Sequence, residues 1–477
     1  MTVFSQAFIE NTRAVFGGAA QAVLDALAQG DAVTAVRANP AKISANDLRC
    51  RFEAAGEDIP WCRDAFWLDS RPVFSLDPLL HAGAYYVQDP SAMFVGSLAG
   101  RLIEEGKRPL KILDLCAAPG GKSTAIAAAL RPDDLLIANE VIGSRATILA
   151  ENMVKWGSVN TVVTNSDPKD FGRLNGCFDI IIADVPCSGE GMFRKDAGAV
   201  AEWSVENVKL CAARQRRIVA DVWPALKPGG YLIYSTCTFN RFENDDNVQW
   251  ICEQLGAEVI APVAPLRALS APGQGEHRTP VTCADLPCAL SQLAQESGAI
   301  ETEYGLQFAP GLVRGEGQYV ALLRKTASSK PASFTTSKPL RKASCDWIQA
   351  GMSCYAVDTS AGQMLKAYPA NLESDIRFFE SKLRTIRSGV AVASVKGRDL
   401  VPLADLALSQ AFRRECMPDL ELTAEQALDY LRTKPLQLPD APKGFVTVQY
   451  EQLPIGFVKN IGSRANNLFP QAWRLRM

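Results

Sequence analysis

The chain has 477 residues, 47 % of them hydrophobic and 21 % charged, which is an ordinary globular composition and enough for about two to four domains. A formal net charge of −2 excludes a bulk polycation, so any nucleic acid would be held by local positive charge. The sequence has no run of about 18 apolar residues and no basic-then-apolar leader, so we expect a cytoplasmic protein without a membrane span. Thirteen cysteines without a C-x-x-C pair predict free thiols rather than disulfides or a metal site, and two histidines disfavour a histidine base.

Residues 1–100 mix helical and extended patterns, which predicts a small α+β region. Apolar residues at helical spacing fill the opening and end at Gly30. The next segment, AVRANPAKIS, contains Arg37 and Lys42. Its spacing favours an exposed strand edge with solvated charges over a basic element that faces RNA. A strand at 85–87 is followed by Asp89-Pro90, which is typical of the start of a helix.

Residues 101–325 alternate strand and helix patterns, as a parallel α/β sheet requires. We predict strands at 110–116, 135–140, 159–167, 178–184, 231–239 and 317–325, and helices at 124–130, 144–156 and 208–226. Four of the strands end in an acid: Asp114, Glu140, Asp167 and Asp184. Ligands of open α/β sheets bind at the carboxyl ends of the strands. Four acids there indicate a ligand rich in hydroxyls, amines and positive charge.

The remaining chain divides by composition into a linker and a last domain. Residues 326–343 are rich in Ser, Thr, Pro and basic residues, which predicts a basic linker. Residues 344–477 contain short strand patterns and a helix that begins with a capping box of Thr423 and Gln426. The last 23 residues include Lys459 and Arg464 and no acid, which suggests an RNA-binding domain.

A glycine-rich turn separates the first strand of the α/β region from its helix. It consists of Cys116, Ala117, Ala118, Pro119, Gly120, Gly121 and Lys122. The turn matches neither the P-loop nor the G-x-G-x-x-G pattern, so a ligand without phosphate is favoured. S-adenosylmethionine is such a ligand, with Glu140 at its ribose and Asp167 at its adenine amine. The alternative is a tight turn with no ligand.

Two cysteines fall at the ligand-binding edge, Cys187 after one strand and Cys237 at the end of another. Free cysteines usually fill cores, but this position suits a nucleophile. A thiolate that adds to carbon-6 of cytosine makes carbon-5 nucleophilic enough to accept a methyl group. Asp184 is placed to bind the edge of the base, and the second thiol to expel the enzyme. The residues alone favour Cys187 as the attacking group.

Four motifs, CAAPGGK, DVPCSGEG, YSTCT and an upstream YYVQDPSA, resemble the Sun/Nop family of RNA 5-methylcytosine methyltransferases. The resemblance spans about residues 30–325. It implies a Rossmann-like class I methyltransferase core and S-adenosylmethionine as cofactor, held by the turn and by Glu140, Asp167 and Asp184. It assigns the nucleophile to Cys237 and product release to Cys187, whereas in the DNA enzymes the Pro-Cys thiol attacks.

The same resemblance implies several RNA contacts. It places Lys122 near the target base, Arg194 and Lys195 near phosphate, and Arg37 and Lys42 near RNA. The C-terminal segment PIGFVKNIGSRANNLFP resembles the PUA-like part of the bacterial RsmF group, which modifies 16S ribosomal RNA.

We therefore expect a monomeric enzyme with no metal that methylates carbon-5 of cytosine in 16S rRNA or in the 30S subunit. Two alternatives stay open from the sequence. One is a tRNA cytosine-5 methyltransferase, and the other is a non-catalytic rRNA-binding assembly factor. A DNA cytosine methyltransferase is disfavoured, because residues 253–316 are short and not basic for a target-recognition insert.

Overall fold

The computed structural model describes residues 4–29, 32–106, 109–260, 295, 297–326, 340–360, 362–439 and 441–476. Most of the predicted linker lies outside these residues. The N-terminal region has helices α1 (Gln6–Phe16), α2 (Ala20–Gln29), α3 (Ala45–Arg49), α4 (Pro78–His81) and α5 (Pro90–Glu105), and strands β1 (Thr34–Ala38), β2 (Ala55–Asp58), β3 (Ala65–Leu68) and β4 (Tyr85–Val87). The Asp89 side chain caps α5 by accepting the Ala92 amide, so the predicted helix start is confirmed.

The four N-terminal strands form a sheet in the order β2-β3-β1-β4. Strand β1 is therefore an interior strand with neighbours on both sides. All five of its residues are buried, and Arg37 is only 3 % exposed. The predicted exposed edge with solvated charges is wrong, because β3 and β4 pair with β1 and α6 closes over its arginine.

The central region is a strand–helix alternation. Its strands are β5 (Lys111–Asp114), β6 (Leu135–Asn139), β7 (Thr161–Thr164), β8 (Phe178–Asp184), β9 (Leu226–Thr236), β10 (Ala257–Val259), β11 (Ile300–Glu301), β12 (Leu306–Phe308) and β13 (Gln318–Lys325). Its helices are α6 (Gly121–Ala129), α7 (Gly143–Trp156), α8 (Pro168–Gly172), α9 (Ala197–Glu202), α10 (Val205–Val222) and α11 (Asp245–Leu255). The predicted parallel α/β sheet is confirmed.

The central sheet has the order β11-β12-β13-β9-β8-β5-β6-β7-β17, where β17 comes from the C-terminal part. Strands β9, β8, β5, β6 and β7 are parallel, so their carboxyl ends share one edge. Nearly every apolar side chain of these strands is buried, because helices cover both faces. This packing fixes the edge at which the predicted ligand residues lie.

The C-terminal part comprises two further sheets. Its strands are β14 (Arg341–Lys342), β15 (Met352–Thr359), β16 (Gly362–Pro369), β17 (Thr385–Ser388), β18 (Val390–Lys396), β19 (Asp399–Pro402), β20 (Asp419–Glu421), β21 (Gly444–Tyr450), β22 (Leu453–Asn460) and β23 (Ala465–Asn467). Its helices are α12 (Glu373–Lys382), α13 (Ala404–Leu408) and α14 (Ala424–Leu431). Strand β17 pairs antiparallel with β7 and so extends the central sheet. The capping box of Thr423 and Gln426 is present. Within the described ranges, no helix has both the length and the apolar character needed to cross a membrane.

Candidate active site

Acidic side chains stand at the carboxyl edge of the parallel strands, as predicted. Asp114 ends β5 and Asp184 ends β8. Glu140 follows β6 directly, is 3 % exposed, and accepts the Ile142 amide at 2.9 Å. Asp167 differs, because β7 ends at Thr164 and Asp167 is the N-cap of α8, with a side chain 45 % exposed.

The glycine-rich turn leads from β5 into α6, which begins at Gly121 rather than at the predicted 124. Gly120 has φ +120°, a conformation that side chains rarely adopt. Arg145 and Asn152 of α7 hold the turn, because they donate at 2.8 Å to the carbonyls of Ala118 and Pro119 respectively. A glycine-rich turn at a helix start, where backbone amides lack partners within the helix, is suited to binding a small polar ligand.

Asp114 lies under this turn and is fully buried. Its Oδ2 accepts a hydrogen bond from Ser123 at 2.6 Å, whereas Oδ1 has no partner among the described residues. Burial raises the pKa of Asp114 to about 7. An unpartnered buried carboxylate oxygen beside a glycine turn and Glu140 fits a ligand with an ammonium group and ribose hydroxyls. These residues therefore fit S-adenosylmethionine.

The two predicted thiols come together. Cys237 directly follows β9, Cys187 lies in the loop after β8, and their sulfur atoms are 3.2 Å apart. Both side chains are partly exposed. The hydrogen bond between the two sulfurs and burial raise the pKa of Cys187 well above its ordinary value. The raised pKa favours the protonated thiol form of Cys187.

Asp184 and Lys122 form an ion pair beside the thiols. The Lys122 Nζ lies 2.8 Å from Asp184 Oδ2, and Ser235 and Gln318 donate to Oδ1 at 2.8 and 3.0 Å. Burial lowers the pKa of Lys122, but the charge and hydrogen bond of Asp184, and the charge of Cys237, outweigh it and raise the pKa overall. The ammonium group thus lies within electrostatic reach of the Cys237 sulfur.

The two loops that carry the thiols are joined by residues that the sequence did not reveal. The hydroxyls of Ser188 and Thr238, each directly after one of the two cysteines, are 2.9 Å apart. Glu190 accepts backbone amides of the Cys237 loop, and Glu243 accepts the Ser188 amide at 3.0 Å. Asn240 donates to both carboxylates. The one hint in the sequence is that these polar residues lie within six positions of the two cysteines.

The predicted RNA contacts separate into internal and exposed residues. Arg37 donates to Gln88, Thr124 and the Gly121 carbonyl, and its guanidinium group stacks on Trp156. Lys42 donates to the carbonyls of Ala82 and Lys155 at 2.6 Å. Arg194 forms an ion pair with Glu316 at 2.8 Å. These three side chains hold parts of the fold together. Lys195, Lys459 and Arg464 are exposed.

Solved structures share this fold. A methyltransferase homologue from Pyrococcus horikoshii is 25 % identical, with a TM-score of 0.51 over 68 % of this chain and 95 % of that one. NSun6 from Pyrococcus horikoshii, solved with SFG, an S-adenosylmethionine analogue, is 18 % identical, with a TM-score of 0.50 over 68 % of this chain and 99 % of that one. The fold and the strand-edge site define an S-adenosylmethionine-dependent methyltransferase.

Three family models match the chain. They are described as 16S rRNA methyltransferase RsmB/F (residues 103–278), N-terminal domain of 16S rRNA methyltransferase RsmF (4–90) and methyltransferase RsmF PUA domain (418–475). Ribosomal RNA small subunit methyltransferase F of Cronobacter sakazakii is 32 % identical over 91 % of this chain and 89 % of that protein. Its counterpart in Escherichia coli O9:H4 is 31 % identical over the same shares. The chain belongs to the RsmF family of 16S rRNA methyltransferases, and strands β20 to β23 form its PUA-like domain.

Proposed function

We propose that this protein transfers a methyl group to carbon-5 of cytosine in 16S ribosomal RNA. The observation that carries the proposal is the contact between Cys187 and Cys237 beside the ion pair of Lys122 and Asp184. A single thiol at the edge would serve as a nucleophile in many reactions. A second thiol that donates to the first suits a reaction in which a sulfur–carbon bond forms and then breaks.

In this mechanism Cys237 is the nucleophile. Its thiolate adds to carbon-6 of the cytosine, and the electron density that reaches carbon-5 makes that atom the acceptor of the methyl group. When bound, S-adenosylmethionine supplies the methyl group as an electrophile. Asp184 and Lys122 bind the edge of the base and offset the charge that develops on the ring.

Cys187 acts at the end of the reaction. Solvent water at this partly exposed edge takes the carbon-5 proton, the electron pair of that bond forms the double bond between carbon-5 and carbon-6, and the Cys237 sulfur leaves carbon-6 as a thiolate. The Cys187 thiol donates to the Cys237 sulfur as it leaves and so stabilises the departing thiolate. Without this donor, the covalent adduct should persist.

Cofactor binding falls to the turn from Cys116 to Lys122 together with Asp114, Glu140, Asp167 and Asp184. Asp114 offers its unpartnered oxygen to an ammonium group, and Glu140 offers a carboxylate to ribose hydroxyls. Two apolar side chains beside Glu140, those of Val141 and Ile142, are about half exposed. They are suited to contact a purine ring. Asp167 is exposed and lies in the segment that directly follows β7, one of the strands that end at this edge.

The RNA substrate is proposed from the relatives' names and from the exposed charges. Lys195 follows the Cys187 loop in the chain and is exposed, and Lys459 and Arg464 lie on the PUA-like domain. Phosphate contacts by such residues make binding weaken with salt. A paired target cytosine must leave its stack, at a cost of a few kcal/mol.

Bisulfite sequencing tests this function. We expect one or more cytosines of 16S rRNA from a deletion strain to lose their protection from bisulfite conversion. The wild-type gene should restore protection, and Cys237→Ala should not. Protection that changes only in tRNA would redirect the proposal to tRNA. Restoration by Cys237→Ala would overturn the nucleophile assignment.

A further inference from the structure

We propose that Glu243 is a positioning residue that keeps the proton of the thiol pair on Cys187, so that Cys237 carries the negative charge. Glu243 lies six residues beyond Cys237, just before α11, and its side chain is fully buried. Glu243 makes no ion pair within the described chain, and burial raises its pKa, whereas the hydrogen bonds from Ser188 and Asn240 favour the carboxylate and partly offset that rise. None of the motifs that identify the catalytic site includes it.

Glu243 binds both loops of the thiol pair. Its Oε2 accepts the amide of Ser188, the residue next to Cys187, at 3.0 Å and the Gln215 side chain at 2.7 Å. Its Oε1 accepts Asn240 of the Cys237 loop at 2.8 Å. Gln215 also donates to the carbonyl of Pro186, so the loop that holds Cys187 is bound to the same carboxylate from two directions. The carboxylate is thus fixed on the Cys187 side of the pair.

The charged groups on the two sides of the pair differ, because an ion pair of Lys122 and Asp184 lies on the Cys237 side and the carboxylate of Glu243 lies on the Cys187 side. The Lys122 ammonium group is within reach of Cys237, whereas the negative charge of Glu243 acts on Cys187 and contributes to raising the pKa of that thiol. The titratable and charged groups around the pair and Glu243 are Lys122 of α6, Asp184 of β8, Tyr234 of β9, Cys211 and Arg216 of α10, Glu190 and Glu243. Asp184 partly neutralises Lys122, so the main asymmetry is the negative charge of Glu243 near Cys187, which favours a thiol at Cys187 and leaves the thiolate to Cys237.

This asymmetry has a chemical consequence that rests on the proposed function. If Cys187 were the thiolate, the Cys237 sulfur would be the protonated partner and a weak nucleophile. With the proton on Cys187, the electrostatic field of the site makes Cys237 the nucleophile. The position of the two thiols at the strand edge would not by itself decide between them. Glu243 does not touch the substrate in this account; it acts through Cys187.

The test measures thiol reactivity in the full-length protein without RNA or cofactor. Iodoacetamide labelling across pH 6 to 10, followed by peptide mass spectrometry, gives a midpoint pH for each of the two cysteines. In the wild type we expect Cys237 to titrate below Cys187. Glu243→Gln keeps the shape and removes the charge, and the Cys187 midpoint should fall by about one pH unit, a tenfold change in acid dissociation.

Glu190→Gln is the matched control, because it neutralises a buried carboxylate of the same network that binds the Cys237 loop rather than Ser188. Its Cys187 midpoint should move by less than half that amount. An unchanged Cys187 midpoint in folded Glu243→Gln would overturn the proposal. If that variant does not fold, the wild type alone decides, since a Cys187 midpoint below that of Cys237 contradicts the proposal. The labelling experiment measures no methyl transfer. Its outcome can therefore be told apart from a failure of the proposed methyltransferase function.

Discussion

The Cys187 and Cys237 sulfur atoms lie 3.2 Å apart although 50 residues separate them in sequence. Two features of the fold bring them together. Strands β8 and β9 are parallel neighbours, so the segments after both strands leave the sheet side by side. The hydroxyls of Ser188 and Thr238 then join the two loops one residue beyond the thiols.

Lys122→Met should lower the rate of methyl transfer by about 10²–10⁴-fold, the range expected for a positioned polar group in a catalytic site. Among the described residues, the change leaves Asp184 with Ser235 and Gln318 as hydrogen-bond partners, and it removes a cation beside Cys237. Tritiated methyl transfer to small ribosomal subunits measures the loss. Lys155→Met, which removes an ion-paired lysine of α7, is the control and should stay within about threefold of wild type. Equal rates in both variants would contradict the role of Lys122.

Asp114→Asn should stabilise the ligand-free protein and weaken cofactor binding. Burial raises the folded-state pKa of Asp114 to about 7, so folding favours its protonated form. The stability from this carboxyl is fully present below the unfolded pKa of about 3.9 and is lost as pH rises through about 7.

Asparagine is neutral at every pH, so the gain in Tm for Asp114→Asn should be larger at pH 8 than at pH 5. Thermal unfolding at the two pH values tests the stability claim, and calorimetry with S-adenosylmethionine at pH 8 tests the loss of binding. A variant with unchanged cofactor affinity would show that the unpartnered oxygen is not part of the cofactor site.

Arg37→Met should destabilise the fold by about 3 kcal/mol or more, because it leaves buried acceptors on Gln88, Gly121 and Thr124 without their donor. Urea unfolding measures this loss. Arg464→Ala should leave stability within about 0.5 kcal/mol, since its side chain is exposed. In filter binding, Arg464→Ala should reduce the salt slope for RNA by about 0.7–0.9, and Arg37→Met should not change it. A reduced salt slope in Arg37→Met would instead support the prediction from the sequence that Arg37 contacts RNA.

Lys42→Met should change the pH dependence of stability rather than RNA affinity. Burial lowers the pKa of Lys42 to about 7 in the folded protein, below that of an unfolded lysine. The unfolded state therefore binds more protons between about pH 7 and 10, and the stability of the wild type rises with pH in that range. The Tm of the wild type relative to Lys42→Met should increase from pH 7 to pH 10. A difference in Tm between the wild type and Lys42→Met that does not change with pH would mean that the Lys42 ammonium group is solvated in the folded protein.

The sequence predicted the features that depend on residues close together in the chain. Asp114, Asp184 and the two thiols follow apolar strand patterns directly, and parallel strands place their ends at one edge. Arg37 was misplaced because its burial depends on partners that lie 51 to 87 positions away. Nothing in the spacing of an AVRANPAKIS segment indicates that a helix start closes over its arginine.

The same limit explains what the sequence missed. Glu190 and Glu243 are polar residues in loops, where no periodicity separates a buried carboxylate from a solvated one. Strand β17 joins the central sheet from beyond residue 380, and a sequence pattern cannot name the strand with which it pairs. The PUA-like domain was indicated by the resemblance of PIGFVKNIGSRANNLFP to that part of the RsmF group, and the basic end indicated RNA binding, because motifs and charge composition are visible without tertiary contacts.

The central claim is that Cys237 attacks the cytosine and Cys187 releases it. The direct measurement is a denaturing gel of each cysteine variant after incubation with S-adenosylmethionine and small ribosomal subunits or 16S rRNA. Cys187→Ala should give a stable band of protein joined to RNA, because methyl transfer is completed but the Cys237 sulfur, without its donor, does not leave carbon-6. Cys237→Ala and the double variant should give no such band. A stable adduct in Cys237→Ala, or its absence in a folded and cofactor-binding Cys187→Ala, would contradict this division of roles.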